Sequence, residues 1–136
     1  MTPLAIAIPD LGFAPDGWNE PDGRGVVGWQ TMISGDKTPT NALTCGLATI
    51  EPGGFLALHR HEPAELYFVH EGEGIVTIDG LEHSVKKGDC VYIPGMAEHG
   101  CRQAGAGPFR FFYVFPRDAF ADVTYLFSGV KEGEAG

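Results

Sequence analysis

The stretch Gly53-x5-His59-x-His61-x3-Glu65-x6-Gly72 constrains this chain more than any other. His59 and His61 are two residues apart, so on an extended strand both imidazoles point to one face. Glu65 and Tyr67 keep the same parity. A strand pair carrying this set places two imidazoles, a carboxylate and a phenol on one wall. Turn sequences bracket the stretch, Glu51-Pro52-Gly53-Gly54 before it and Glu71-Gly72-Glu73-Gly74 after it. Pro63 predicts a bend between two strand segments.

A further histidine follows a hairpin later. His99 closes Gly88-x5-Pro94-x4-His99, just after the short apolar run from Cys90 to Ile93. His59, His61, Glu65 and His99 therefore form a candidate metal set. Imidazole and carboxylate together suit iron, manganese, nickel, zinc or copper, with geometry deciding among them. Clustered in an interior without a cation, such groups would lack partners, which is costly. A set of this size leaves room on the ion for another ligand, as catalytic metal sites do and structural ones do not.

The rest of the chain reads as many short strands. Twenty glycines and ten prolines favour turns over long helices. Strands are predicted over 26–33, 43–50, 55–60, 64–70, 74–78, 82–85, 90–93, 99–103, 109–115 and 123–127, with Asp79-Gly80 as a two-residue hairpin turn. Leu4 to Ile8 reads as a first strand or docking arm, 9–25 as loop, 117–121 as one helical turn and 129–136 as a frayed tail. The aromatic run Phe109 to Phe115 is expected to be buried on both faces. His70 has the wrong strand parity for the ligand face and His83 lies beside a surface hairpin, so both are expected in solvent. The pattern is that of an all-β sandwich or barrel, and 136 residues suit one domain.

Charge and cysteine content narrow the partners. A net charge of −9 argues against nucleic acid or an anionic membrane. Three cysteines with no CxxC point to reduced thiols in a cytoplasmic protein. The apolar run at Leu4 to Ile8 has no basic flank and is too short for a secretory or membrane-spanning segment.

The two spaced motifs resemble the paired motifs of the cupin superfamily, a likeness covering roughly residues 43–116. One position departs. The family usually has a glycine two residues after the proline, whereas here Gly95 comes one residue after Pro94 and Met96 takes that position. The resemblance implies an all-β, double-stranded β-helix (jelly-roll) barrel in a single domain, 1–136, with the ligands projecting into its interior. An N-terminal arm (1–25) would precede the core (43–116), and a last strand (123–127) would follow. A homodimer, by edge pairing or exchange of the arm, is expected with it.

A narrower resemblance rests on Pro52-Gly53-Gly54, Pro63-Ala64-Glu65-Leu66-Tyr67, Lys87-Gly88-Asp89-Cys90-Val91-Tyr92-Ile93, Ala97-Glu98-His99 and Phe115-Pro116-Arg117-Asp118. With Phe120, Val123, Tyr125 and Phe127, these runs look like the small cupin lyases that cleave dimethylsulfoniopropionate (DMSP) to dimethyl sulfide and acrylate. It implies one divalent transition metal on His59, His61, Glu65 and His99, Fe(II) first, then manganese, nickel or zinc. It matches Tyr67 to the catalytic tyrosine, Tyr125 to a second pocket tyrosine and Trp29 to an early tryptophan. The substrate would be a small carboxylate. Trp29 and Phe127, with Tyr125, would offer aromatic faces to its sulfonium. The residues alone allow Tyr67 to be a base beside a cation or plain core packing. The same ligand set also suits an Fe(II)-dependent dioxygenase, a non-catalytic ligand-binding or sensor cupin, or a sugar isomerase or epimerase.

Overall fold

A computed structural model describes residues 3–8 and 13–129. Among the described residues eleven strands follow one another: β1 (Asp16–Glu20), β2 (Gly25–Ile33), β3 (Thr44–Ile50), β4 (Phe55–Arg60), β5 (Glu65–Glu71), β6 (Glu73–Ile78), β7 (Leu81–Lys86), β8 (Cys90–Ile93), β9 (His99–Ala104), β10 (Phe109–Phe115) and β11 (Leu126–Phe127). A short 3₁₀ turn, Phe120–Asp122, precedes β11. Every strand pairing is antiparallel. The hydrogen-bonded order is β7-β6-β9-β4-β2-β3-β10-β5-β8, with β1 on β2 and β11 on β4. The sheet curls until Val27 of β2, Val69 of β5, Val76 of β6 and Phe111 of β10 meet in one core cluster. This is the expected all-β jelly-roll barrel.

Strand parity decides what faces inward. In β5, Glu65, Tyr67 and Val69 are buried while Leu66, Phe68 and His70 are exposed. His83 is exposed as well. In β10, Phe109, Phe111, Tyr113 and Phe115 are buried, but Arg110, Phe112 and Val114 are only half-buried. The expectation of burial on both faces of β10 therefore holds on one face, because the other is the outside of the barrel. β6 and β10 meet closely inside: a Cβ on Gly74 would lie within 2.6 Å of Phe109 Cζ.

Two turns bear on the site. Asp79 (φ 47°) and Gly80 (φ 83°) form the left-handed pair that a tight hairpin requires. The displaced glycine before His99 also has a physical account. A side chain at Gly95 would strike the Glu62 carbonyl, so glycine is needed there. Met96 then takes the left-handed conformation itself, φ 63°, and its N–H donates to the His61 carbonyl at 2.8 Å. The bond ties the β4–β5 bend to the β8–β9 turn and holds His61 and His99 on one side.

Several expectations are corrected. Residues 9–25 are not all loop, since 16–20 form β1 against β2. Asp16-Gly17-Trp18-Asn19-Glu20 has little intrinsic strand preference, and pairing with a regular neighbour overrides it. Leu4 to Ile8 forms no strand; the Leu4 N–H donates to the Pro39 carbonyl at 2.9 Å, and its side chain is exposed. The helical turn starts at Phe120 instead of 117, and the last strand keeps only Leu126 and Phe127 because Val123 caps that turn. Apart from Gly129, the expected frayed tail lies outside the described residues.

Candidate metal centre and cavity

Each candidate ligand sits at or beside a strand end. His59 is on β4 and His61 just past its end; Glu65 opens β5, and His99 opens β9 as the cross-strand partner of His59. All four are at most 4% exposed. One ring nitrogen from each histidine lies within 4.8 Å of the others. The second ring nitrogens are tied to the backbone: Nδ1 lies 2.7 Å from the Ala57 carbonyl in His59, 2.9 Å from Pro63 in His61 and 2.9 Å from Ala97 in His99. A carbonyl can only accept, so Nδ1 carries the proton and Nε2 the lone pair.

Those lone pairs have nothing to receive them. Glu65 Oε1 lies 3.1 Å from His61 Nε2 and 3.2 Å from His99 Nε2, an acceptor facing acceptors when the imidazoles are neutral. His59 Nε2 is buried with no partner among the described residues. Burial lowers the His59 pKa to about 3, helped by the neighbouring His99 and opposed by the Ala57 carbonyl. It therefore holds its neutral, ligating form at neutral pH. A divalent cation would satisfy all of these groups together, so the residues fit one.

A cavity opens beside this centre and shares Glu65 with it. Its walls include Trp18, Trp29, Tyr67, Tyr113, Phe120 and Tyr125. Tyr67 is 1% exposed, with its ring 6.5 Å from that of His99 and 4.2 Å from Phe111. Tyr125 is half-buried and stacks on His59 at 4.9 Å, with 16° between the planes. Trp18 meets Trp29 edge-on at 4.9 Å and Tyr125 at 5.9 Å. The free volume is about 30 Å³, room for about two waters.

The structure thus brings together His59, His61, Glu65, His99, Tyr67, Tyr125 and Trp29. Phe127 is placed differently. It pairs with His59 across β11–β4 and lies 6.0 Å from Tyr125, behind the cavity wall and not on it. Four aromatic wall residues, Trp18, Phe111, Tyr113 and Phe120, escaped the sequence reading. Trp18 sat in the segment read as loop, and Phe120 in the expected helical turn. Tyr113 shares the inward parity of Phe109, Phe111 and Phe115, a signal that was available. Burial raises the pKa of Tyr67 and Tyr125, and the Glu65 charge adds to it. Burial raises Tyr113 too, opposed by Thr31 and reinforced by Glu65.

The cupin domain family matches residues 46–115. Dimethylsulfoniopropionate lyase DddW of Ruegeria pomeroyi is 43% identical over 104 residues, 76% of this chain and 68% of that protein. A 5-nitrosalicylic acid 1,2-dioxygenase of Bradyrhizobium is 36% identical over 66 residues, 48% of this chain but 32% of that protein. A solved cupin-2 domain of Rhodospirillum rubrum superposes with a TM-score of 0.74 over 99% of this chain and 86% of that one; at 19% identity the likeness is one of fold. Since the family match runs from within β3 through β10 and includes the strands that deliver all four candidate ligands, the chain belongs to the cupin family.

Proposed function

We propose that this protein is a metal-dependent lyase that eliminates dimethyl sulfide from DMSP or a similar small carboxylate. The likeness to the DddW lyase over three quarters of the chain carries this reading. The geometry supports it, because a buried phenol and aromatic walls line a cavity beside a cation-shaped centre, with Glu65 common to both.

His59, His61, Glu65 and His99 would hold the metal, Fe(II) first among iron, manganese, nickel and zinc, and its charge would supply Lewis acidity that makes the C–H beside the substrate carboxylate more acidic. Tyr67 is the base. Its phenolate oxygen takes the proton from the carbon next to the carboxylate. The C–H electron pair becomes the new double bond, the Cβ–S bond breaks, and its electron pair leaves on sulfur. Dimethyl sulfide departs neutral, acrylate remains, and Tyr67 returns the proton to solvent. Trp29 and Tyr125 face the cationic sulfonium before it leaves, each contact worth roughly 0.5–2 kcal/mol. Tyr125 also braces His59 by stacking on it.

The base role depends on the centre's charge. Burial, and then the Glu65 carboxylate, hold Tyr67 protonated well above neutral pH. Only a cation nearby reverses that preference. Tyr67→Phe therefore tests the reading. With metal content unchanged, kcat on DMSP should fall by about 10²–10⁴; a full rate would remove Tyr67 as base. A dioxygenase reading draws on the shorter likeness to the 5-nitrosalicylic acid enzyme. Oxygen uptake without dimethyl sulfide would favour it.

A further inference from the structure

Tyr113 is an anomaly within β10. The other inward positions of that strand, Phe109, Phe111 and Phe115, are phenylalanine. Tyr113 is 4% exposed, and its hydroxyl is buried with no hydrogen-bond partner among the described residues. Thr31 stands nearby without completing a bond. A buried, unpaired hydroxyl is destabilising, and phenylalanine would remove the fault without changing the shape. The neighbouring strand also makes room for it. Gly46 is the cross-strand partner of Tyr113, and a Cβ there would lie within 2.7 Å of Tyr113 Cζ and closer still to the hydroxyl. On its other side Tyr113 is the cross-strand partner of Tyr67, and both line the cavity.

We infer that Tyr113 positions the substrate by donating its hydroxyl proton to a carboxylate oxygen of the ligand held in the cavity. The inference rests on reading the cavity as a site for a small carboxylate. The phenol suits the task, since burial and the Glu65 charge keep it protonated and hence a donor. Its place opposite Tyr67 puts the donor and the base on adjacent strands of one wall.

Tyr113→Phe in the metal-loaded protein tests this, with acrylate and DMSP as probes. The ligand-free melting temperature should rise by roughly 2–8 °C as the unpaired hydroxyl disappears. The acrylate Kd, by calorimetry, should weaken about 10–100-fold, the usual worth of a donor to a charged acceptor. KM for DMSP should rise by a similar factor, with kcat within about threefold. An unchanged acrylate affinity, a lower melting temperature, or no acrylate binding by the wild type would each overturn the inference. Failure of the lyase reading is seen separately. If the wild type releases no dimethyl sulfide yet binds acrylate through Tyr113, the donor stands and the reaction assignment falls.

Discussion

Removing metal from the purified protein should lower its stability by an amount set by the geometry of the centre. Without a cation, His59 Nε2 is a buried acceptor with no partner among the described residues, and the Nε2 lone pairs of His61 and His99 face Glu65 Oε1 at 3.1 and 3.2 Å. Each unsatisfied buried group costs about 1–3 kcal/mol. Metal bound at 100 to 1,000 times its Kd adds about 2.7–4.1 kcal/mol to the folded state. In a chain of 136 residues, 1 kcal/mol moves the melting temperature by roughly 3–5 °C. Chelation should therefore lower the melting temperature by roughly 8–20 °C. Differential scanning fluorimetry of the metal-loaded protein, with and without EDTA, reads this directly. Re-adding Fe(II) or Mn(II) should restore the loss, and His59→Ala should respond to neither treatment. A melting temperature that moves by less than about 1 °C on chelation, or a His59→Ala protein that responds like the wild type, would refute the reasoning.

Two further outcomes test the barrel around the site. Gly74→Ala forces a methyl against the Phe109 ring, which is fully buried and boxed in; the variant should lose about 1–3 kcal/mol by urea unfolding, and an unchanged midpoint would contradict the packing. Of the free cysteines, Cys90 is exposed, whereas Cys45 and Cys101 are buried. Burial raises the pKa of both buried thiols, Glu65 adding to it at Cys101, so they stay protonated and unreactive at neutral pH. Cys90 alone should react quickly with a disulfide reagent in the native protein, and all three should react in denaturant; fast native labelling of Cys101 would mean that the inner wall is not closed.

The centre was legible in the sequence because strand parity is a strict rule. His59, His61, Glu65 and Tyr67 can share a face only on extended backbone, and His99 arrives at the start of the strand paired with His59. The ring tautomers were not legible, because the carbonyls of Ala57, Pro63 and Ala97 that fix them depend on local backbone turns. Met96 shows the same limit. Its left-handed φ follows from the close approach of Gly95 to Glu62, a contact between segments far apart in the chain. Trp18 was hidden because β1 gains its strand state from β2 and not from its own residues. Tyr113 was visible by parity within an aromatic strand, but its meaning lies in an unpaired hydroxyl and a facing glycine. Those are facts of packing.

The most direct test of the central claim is release of dimethyl sulfide from DMSP by iron- or manganese-loaded protein under nitrogen, read in the headspace, with His59→Ala prepared in parallel. The proposed elimination needs no oxygen, so dimethyl sulfide and acrylate should appear in equal amounts, and only with the wild-type centre. Release no greater than that of His59→Ala, or release that requires oxygen, would contradict it.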